Sequence, residues 1–455
     1  MSLLAVHLND AGITVLDSER IIYREPGFAL LEDEQLITGS AAYSHARLNP
    51  RRIQHRFWSD LRTEPLIDRR FQHLSAADLV SRQLEQIWAI IADRGDRLVL
   101  AVPAYMSNDH LGLFLGIAAE IKVPVIGMVD AAVAATRREY RDAVPVHIDL
   151  SLHSTLLTRI TQSGQAQSDR SAVIDDSGIV ALYDAWISVV AEAFVQQSRF
   201  DPLHTAETEQ VLQNRLIGMM LSASSDDEIA VEVEYRGVTH KAEIEALQLV
   251  AAAAPIYQRI VSNLRALFRA DETPAIQLSD RAARMPGLAD MLAARVGGEV
   301  FILEPGATAR GLMARCRDMQ ESESGITLIR QLPWDQSPVE ITSSEQTSRG
   351  GHPTHLLFDN TAYSIDVRPL TLGSQPDDGE RGIDLLDNMP GVSRRHCSLQ
   401  QENGQCVVRD YSRYGTFLNG HAIDGSAVLQ VGDLIRLGSP GFELRLITTE
   451  PADGS

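Results

Sequence analysis

The stretch Glu340 to His352, EITSSEQTSRGGH, constrains the fold of this chain more than any other. After its first two residues it has almost nothing apolar, and it is rich in serine, threonine and glycine. Such a segment has too little apolar surface to offset its ordering entropy, so it reads as a linker. The chain must then build two separate cores, one before the linker and one in a C-terminal module of roughly 100 residues, a common domain size. The expected boundaries are 1–335 for the first part, 336–354 for the linker, 355–450 for the module and 451–455 for a tail. At 455 residues the chain is long enough for two or three cores.

The first part alternates strands and helices. LLAVHL and GITVLD read as a hairpin, with ERIIYREP following. AADLVSRQLEQIWAIIAD has the helical period, and DRLVLAVPA reads as a buried strand. HLGLFLGIAAEI predicts a helix, VPVIGMV a strand and DAAVAATRREY a helix; VPVHIDLS and HSTLLTRITQ return to strands. Hairpins mixed with βα units define an α/β domain, not a helical bundle. From about Gly178 the texture changes. GIVALYDAWISVVAEAFVQQS and TAETEQVLQNRLIGMMLS are amphipathic helices. EIAVEVEYRGVTHKAEI alternates on both sides of Arg236-Gly237, which predicts a hairpin. A long helix with Pro255 inside it follows, then the strand AIQLSD, the helix PGLADMLAARV with its proline early, and the strand GEVFILEPG. No internal repeat of about 20–50 residues is visible.

The C-terminal module has many short strands and no convincing helix: HLLFD, TAYSIDVRPLTLG, RHCSLQQ, QCVVRDY, TFLNG, AVLQVGDLIRLG and FELRLIT. Closely spaced turn signals separate them, the pattern of a β-sandwich. Pairing about Asn403-Gly404 sets Cys406 opposite Gln401 and not opposite Cys397, so no disulfide is expected there.

The formal net charge of −20 opposes binding to nucleic acid or acidic membranes. No run of about 18 apolar residues predicts a membrane helix. The start, MSLLAVHLNDAGITVLD, lacks a basic region and contains Asp10, unlike a signal peptide. The sparse set Cys316, Cys397 and Cys406 fits a reducing cytosol, so a cytoplasmic location is expected. Lys122 and Lys241 are the only lysines, an arginine-heavy usage that points to a bacterial source. His147, Asp149 and His153 lie close in sequence, but no further ligand accompanies them, and no metal site is expected.

Several stretches of the first part, in order, resemble the actin/heat-shock-chaperone ATPase fold. These are LAVPAYMSNDHLGLFLGIAAEIKVPVIGMVDAAVAA, EYRGVTHKAEIEAL, IQLSDRAARMPGLADML and LEPGATARGLMA. The resemblance covers about Met1 to Pro333 and implies a two-lobed α/β domain in which paired phosphate hairpins clasp ATP and Mg²⁺. By motif match, Asp10 and Gly12 correspond to the first hairpin, Asp130 to the acidic residue of the metal's water shell, and Asp149 to the start of the second hairpin. Ser279 falls in the adenosine-side turn. Asp10, Asp130 and Asp149 are the candidate catalytic carboxylates. The sequence departs from the family where chemistry needs glycine: Ser151, Leu152 and His153 replace the consecutive glycines of the second hairpin, and Ser279-Asp280-Arg281 those of the adenosine-side turn. Asp280 would place negative charge near a nucleotide. No lysine occurs in residues 1–100, leaving Arg51, Arg52 or Arg56 as partial substitutes.

Tyr363 to Thr448 resembles a forkhead-associated (FHA) domain, through TLGS, VSRRHCSL, DYSRYGTFLNG and LQVGDLIRLG. The resemblance implies an all-β sandwich that binds phosphothreonine peptides at one end. Ser393 corresponds to the hydroxyl donor to phosphate, with Arg394 beside it and Arg413 on a second loop; His396 is expected to brace the loop from inside. Ser374 stands where the family has an arginine, and Tyr414 where it has an asparagine; both are candidate peptide contacts that can donate hydrogen bonds but supply no charge. The expected whole is a cytoplasmic adaptor: a degenerate actin-like scaffold, more a binding protein than an enzyme, fused to a module that recruits a threonine-phosphorylated protein. A Ser/Thr kinase upstream and self-association are further expectations. The alternative is a working ATP hydrolase, chaperone-like or filament-forming, regulated through its FHA module.

Overall fold

The computed structural model describes residues 2–447 apart from 19, 33–34, 223–227, 270–271, 318, 320–324, 342–352, 359–360, 376–380, 386–391, 403–404, 414, 419–420, 430–432 and 438–441. The chain divides into two compact units, Met1–Ile341 and Thr342–Ser455. The first unit therefore extends past the expected boundary. Val339–Glu340 pairs in parallel with Tyr140–Arg141, and Ile341 is buried. The alternating Val339 and Ile341 fasten this stretch before the polar composition takes over.

The first unit contains two six-stranded sheets. In the first, the antiparallel run Ile21–Glu25, Ile13–Leu16 and Leu3–His7 is followed by Arg97–Val102 and Val125–Asp130 in parallel. In the second, Gln165–Asp175, Ser154–Gln162 and Val144–Leu150 form the antiparallel run, followed by Pro274–Leu278 and Glu299–Ile302 in parallel. The two sheets thus share one strand order. This repeat is far longer than a solenoid repeat and is carried by topology, which explains why no sequence period reveals it.

Ala131–Ala135 follows the last parallel strand of the first sheet, and Ala307–Arg315 follows that of the second. The two helices pack on each other within an alanine-rich core that draws on both sheets. A Cβ on Gly311 would lie 1.8 Å from the Ala134 carbonyl oxygen, so only glycine permits this approach. The expected helix DAAVAATRREY is cut short at Ala135, and Tyr140–Arg141 is a strand. Gln165–Asp175 was not legible as a strand: only Ala166 and Ile174 are buried in it. The proline of PGLADMLAARV precedes the helix Leu288–Val296, whose N-cap is Gly287.

The expected hairpin forms with Tyr235 opposite Val238, and Arg236 and Gly237 both have positive φ, as a two-residue primed turn requires. Pro255 lies inside the helix Ala246–Arg265. Ile179–Ser198 is long and apolar enough to cross a membrane, yet it places Leu182, Trp186 and Phe194 in the core of the second sheet.

The C-terminal unit is a sandwich of a five-stranded and a six-stranded sheet around Leu356, Leu372, Leu399, Val408 and Leu444. Cys406 pairs with Gln401, and all three cysteines are free. The short strands Arg381–Asp384 and His421–Ala422 were not anticipated.

Candidate functional site

Two regions carry the predicted residues. In the first unit, the turn after Leu3–His7 and the turn after Val144–Leu150 face each other. The Asp10 carboxylate accepts from the Leu152 N–H at 2.8 Å, and the Asn9 amide donates to Asp149 at 2.7 Å and to the Leu150 carbonyl at 3.1 Å. The Ala11 N–H donates to the Asn9 side chain, the Gly12 N–H to the Asn9 carbonyl, and the Ser154 N–H to the Ser151 hydroxyl. These backbone donors, the groups that a phosphate would need, are already engaged.

Arg281 closes the site. Its guanidinium donates to the Leu150 carbonyl at 2.9 Å, lies 3.5 Å from Asp149, and sits 2.8 Å from the point a Gly12 Cβ would occupy. His7, on the facing strand, approaches Asp149 at 3.6 Å. Beside these groups lies a cavity of about 20 Å³, room for about one water, lined by His7, Thr14, His147, Asp149, Ser279 and Arg281 among others. Asp280 does not leave a bare charge there: it pairs with Arg24 at 3.4 Å and Arg284 at 3.2 Å. Arg56 pairs with Asp176, and neither it nor Arg51 or Arg52 lines the cavity.

Asp10, Gly12, Asp149 and Ser279 thus lie around one closed cleft, but Asp130 does not join them. Its carboxylate caps the helix Ala131–Ala135, accepting from the Ala132 and Val133 N–H groups at 2.9 and 3.2 Å. His147, Asp149 and His153 do not converge either. His153 stacks on His55, with ring nitrogens 2.8 Å apart, and the described residues contain no group of three metal-ligating side chains. Leu152 is buried in a small apolar cluster with Phe28, Leu30, Ala42 and Ile53. Sequence reasoning missed His7 and the bridging role of Arg281.

Burial pushes Asp10 up to about 6, against the Leu152 hydrogen bond, and pushes His7 down to about 4, against the pull of Asp149. Burial also raises Asp149, but the guanidinium of Arg281 and the neighbouring histidines more than offset it and hold the carboxyl below its usual range. The consequences for stability oppose each other. His7, depressed from 6.5 to about 4, stabilises fully above 6.5, and that stability is lost as pH falls through 4, roughly 3 kcal/mol in all. Asp10, raised from 3.8 to about 6, stabilises fully below 3.8, and that stability is lost as pH rises through 6. Between pH 6 and 4, Asp10 therefore offsets the acid loss from His7. The variant Asp10→Asn is expected to lose stability more steeply on acidification than the parent, measured as urea midpoints at pH 7, 6, 5 and 4.

In the C-terminal unit, three loops meet at one end of the sandwich. The Ser374 N–H donates to the Ser393 carbonyl at 3.2 Å, and the Gln375 N–H to the Arg394 carbonyl at 3.0 Å. The Arg413 N–H donates to the Ser393 hydroxyl at 3.1 Å. That bond uses a lone pair and leaves the Ser393 O–H proton available to a ligand. His396 is fully buried behind the loop. Its Nδ1 accepts from the Ser393 N–H at 3.1 Å, so Nε2 carries the proton and donates to the Gly415 carbonyl at 3.3 Å. Asp410 shapes the second loop by accepting from the Ser412 N–H and the Thr416 hydroxyl. Arg394 and Arg413 are exposed, and neither guanidinium has an ion-pair partner among the described residues. Tyr414 lies outside the described residues.

A Cβ on Gly373 would stand 1.9 Å from the Arg394 carbonyl oxygen. Backbone cannot swing aside as a side chain does. Gly373→Ala is expected to destabilise this unit by about 2 kcal/mol and to displace the Ser393 loop, seen as an earlier urea transition of the full chain.

A sequence model of the FHA domain matches residues 370–438. No curated protein matches the chain. The C-terminal unit carries an FHA domain, and FHA domains are protein-interaction modules that bind phosphothreonine-containing partners.

Proposed function

We propose that the chain is a cytoplasmic adaptor whose FHA module recruits a threonine-phosphorylated protein, the product of a Ser/Thr kinase, while its N-terminal unit acts as a degenerate actin-like scaffold. One observation carries the reading: the Ser393 hydroxyl is held where three loops meet, with the exposed guanidiniums of Arg394 and Arg413 on two of them. A dianion at a protein surface needs this combination of hydroxyl donor and guanidinium charge. The shared strand order of the two sheets supports the actin-like reading of the first unit. The engaged backbone donors and the cavity of about 20 Å³ support a scaffold without nucleotide chemistry, because a nucleoside triphosphate would need Arg281 to move and those donors to be released.

The test is a peptide array on the full chain, comparing phosphothreonine peptides with their unphosphorylated twins. Equal binding of both refutes the reading. For the first unit, MgATP is expected to leave the melting temperature unchanged and to undergo no turnover above a protein-free control. Turnover that Asp10→Ala abolishes would establish the ATPase alternative instead.

A further inference from the structure

A second cavity, of about 330 Å³, opens on the first unit beside the edge strand Glu299–Ile302. Its size falls within the range of small-molecule sites. The apolar wall comes from Ala135, Phe301, Ile302 and Leu303, and Tyr140 meets the Phe301 ring edge-on at 4.8 Å. Ile302 is 65% exposed, a large apolar side chain open to solvent.

The polar part of the lining is asymmetric. Arg137 is neutralised by Asp335, and Glu304 lies near both Arg137, at 3.9 Å, and Arg310, at 3.6 Å. Arg138 is different. Its guanidinium is held in a fork by the side-chain oxygen of Gln336, at 3.0 and 2.6 Å. Gln336 is a neutral amide, so it fixes the orientation of Arg138 without cancelling its charge, and no carboxylate pairs with Arg138 among the described residues. The Tyr140 hydroxyl has no hydrogen-bond partner among the described residues, and burial raises its pKa to about 12, so it stays a donor at neutral pH.

We propose that this cavity binds a small organic monoanion, a carboxylate or sulfonate with an apolar body. The acid group meets Arg138 and the Tyr140 hydroxyl, and the body lies against Phe301 and Ile302. A nucleotide is a poor fit, because of the two arginines in the lining Arg137 is already paired with Asp335, which leaves Arg138 to match a single negative charge, and Glu304 would repel further ones. A neutral ligand would leave the fixed charge of Arg138 without a partner. The proposal is independent of phosphothreonine binding, which resides in the other unit.

The test titrates the full chain with 8-anilinonaphthalene-1-sulfonate, followed by its fluorescence, beside the neutral analogue N-phenyl-1-naphthylamine. The parent is expected to bind the sulfonate saturably, and phenylacetate to compete. Arg138→Gln is expected to weaken sulfonate binding about tenfold and leave the neutral analogue unchanged. Tyr140→Phe keeps the ring and is expected to give a smaller loss. No saturable binding by the parent, equal affinity for both probes, or an Arg138→Gln variant that binds the sulfonate like the parent would overturn the proposal. Equal urea midpoints for parent and variants exclude misfolding as the cause of a loss.

Discussion

Arg413→Ala is expected to lower the affinity of the full chain for a phosphothreonine peptide about tenfold to a hundredfold, the range of a lost charge-assisted hydrogen bond, and to leave binding of the unphosphorylated twin unchanged. This substitution is the cleaner of two. The bond that joins the loops runs from the Arg413 backbone N–H to the Ser393 hydroxyl, so removing the side chain keeps the loops joined while removing a charge. Ser393→Ala removes the hydroxyl donor and the loop bond together, so its loss should be at least as large. It should also lower the stability of the unit slightly, by about 1 kcal/mol. Fluorescence polarisation with labelled peptide pairs measures both. Raising the salt concentration should weaken the parent more than Arg413→Ala, because the parent engages one more charge.

The meeting of the loops at this candidate site was legible from sequence because each loop is built from consecutive residues. VSRRH and SRYGTFLNG place Ser393, Arg394 and Arg413 on two loops, and those loops do meet. The register was legible for a similar reason: one turn fixes every pair beyond it, so Cys406 falls opposite Gln401. The Arg236-Gly237 hairpin follows from alternation and turn chemistry. The cleft of the first unit was harder to read. His7 and Arg281 are far apart in the chain and become neighbours only when the two sheets face each other. Asp130 matched a motif, yet its carboxylate satisfies a helix N-terminus, a role that any Asp before an alanine run can take. Gln165–Asp175 was missed because a strand that buries so few of its side chains shows no alternation.

The largest effect on stability is expected from Arg281→Met. Asp149 is buried between His7, Asn9 and Arg281, with side-chain exposures of 5% for Asp149 and 13% for Arg281. His7 is neutral at pH 7, since burial holds its pKa near 4, so Arg281 supplies the positive charge in contact with Asp149. Without it a carboxylate is left buried and uncompensated, which costs about 3–5 kcal/mol. The double variant Arg281→Met with Asp149→Asn removes the stranded charge and is expected to recover at least half of that loss. Non-additivity of this size in a double-mutant cycle, read from urea midpoints, separates a charge effect from lost packing. The pH dependence gives a second check. In Arg281→Met alone, the folded-state pKa of Asp149 rises above its unfolded value, so the penalty should shrink as pH falls through it. If the two substitutions add, Arg281 acts through its stem and not through its charge. Should the single variant instead keep full stability and gain MgATP binding, Arg281 would be a plug in a cleft that still has the means to hold phosphate, and the degenerate-scaffold reading would give way to one in which a side chain occupies a working nucleotide site.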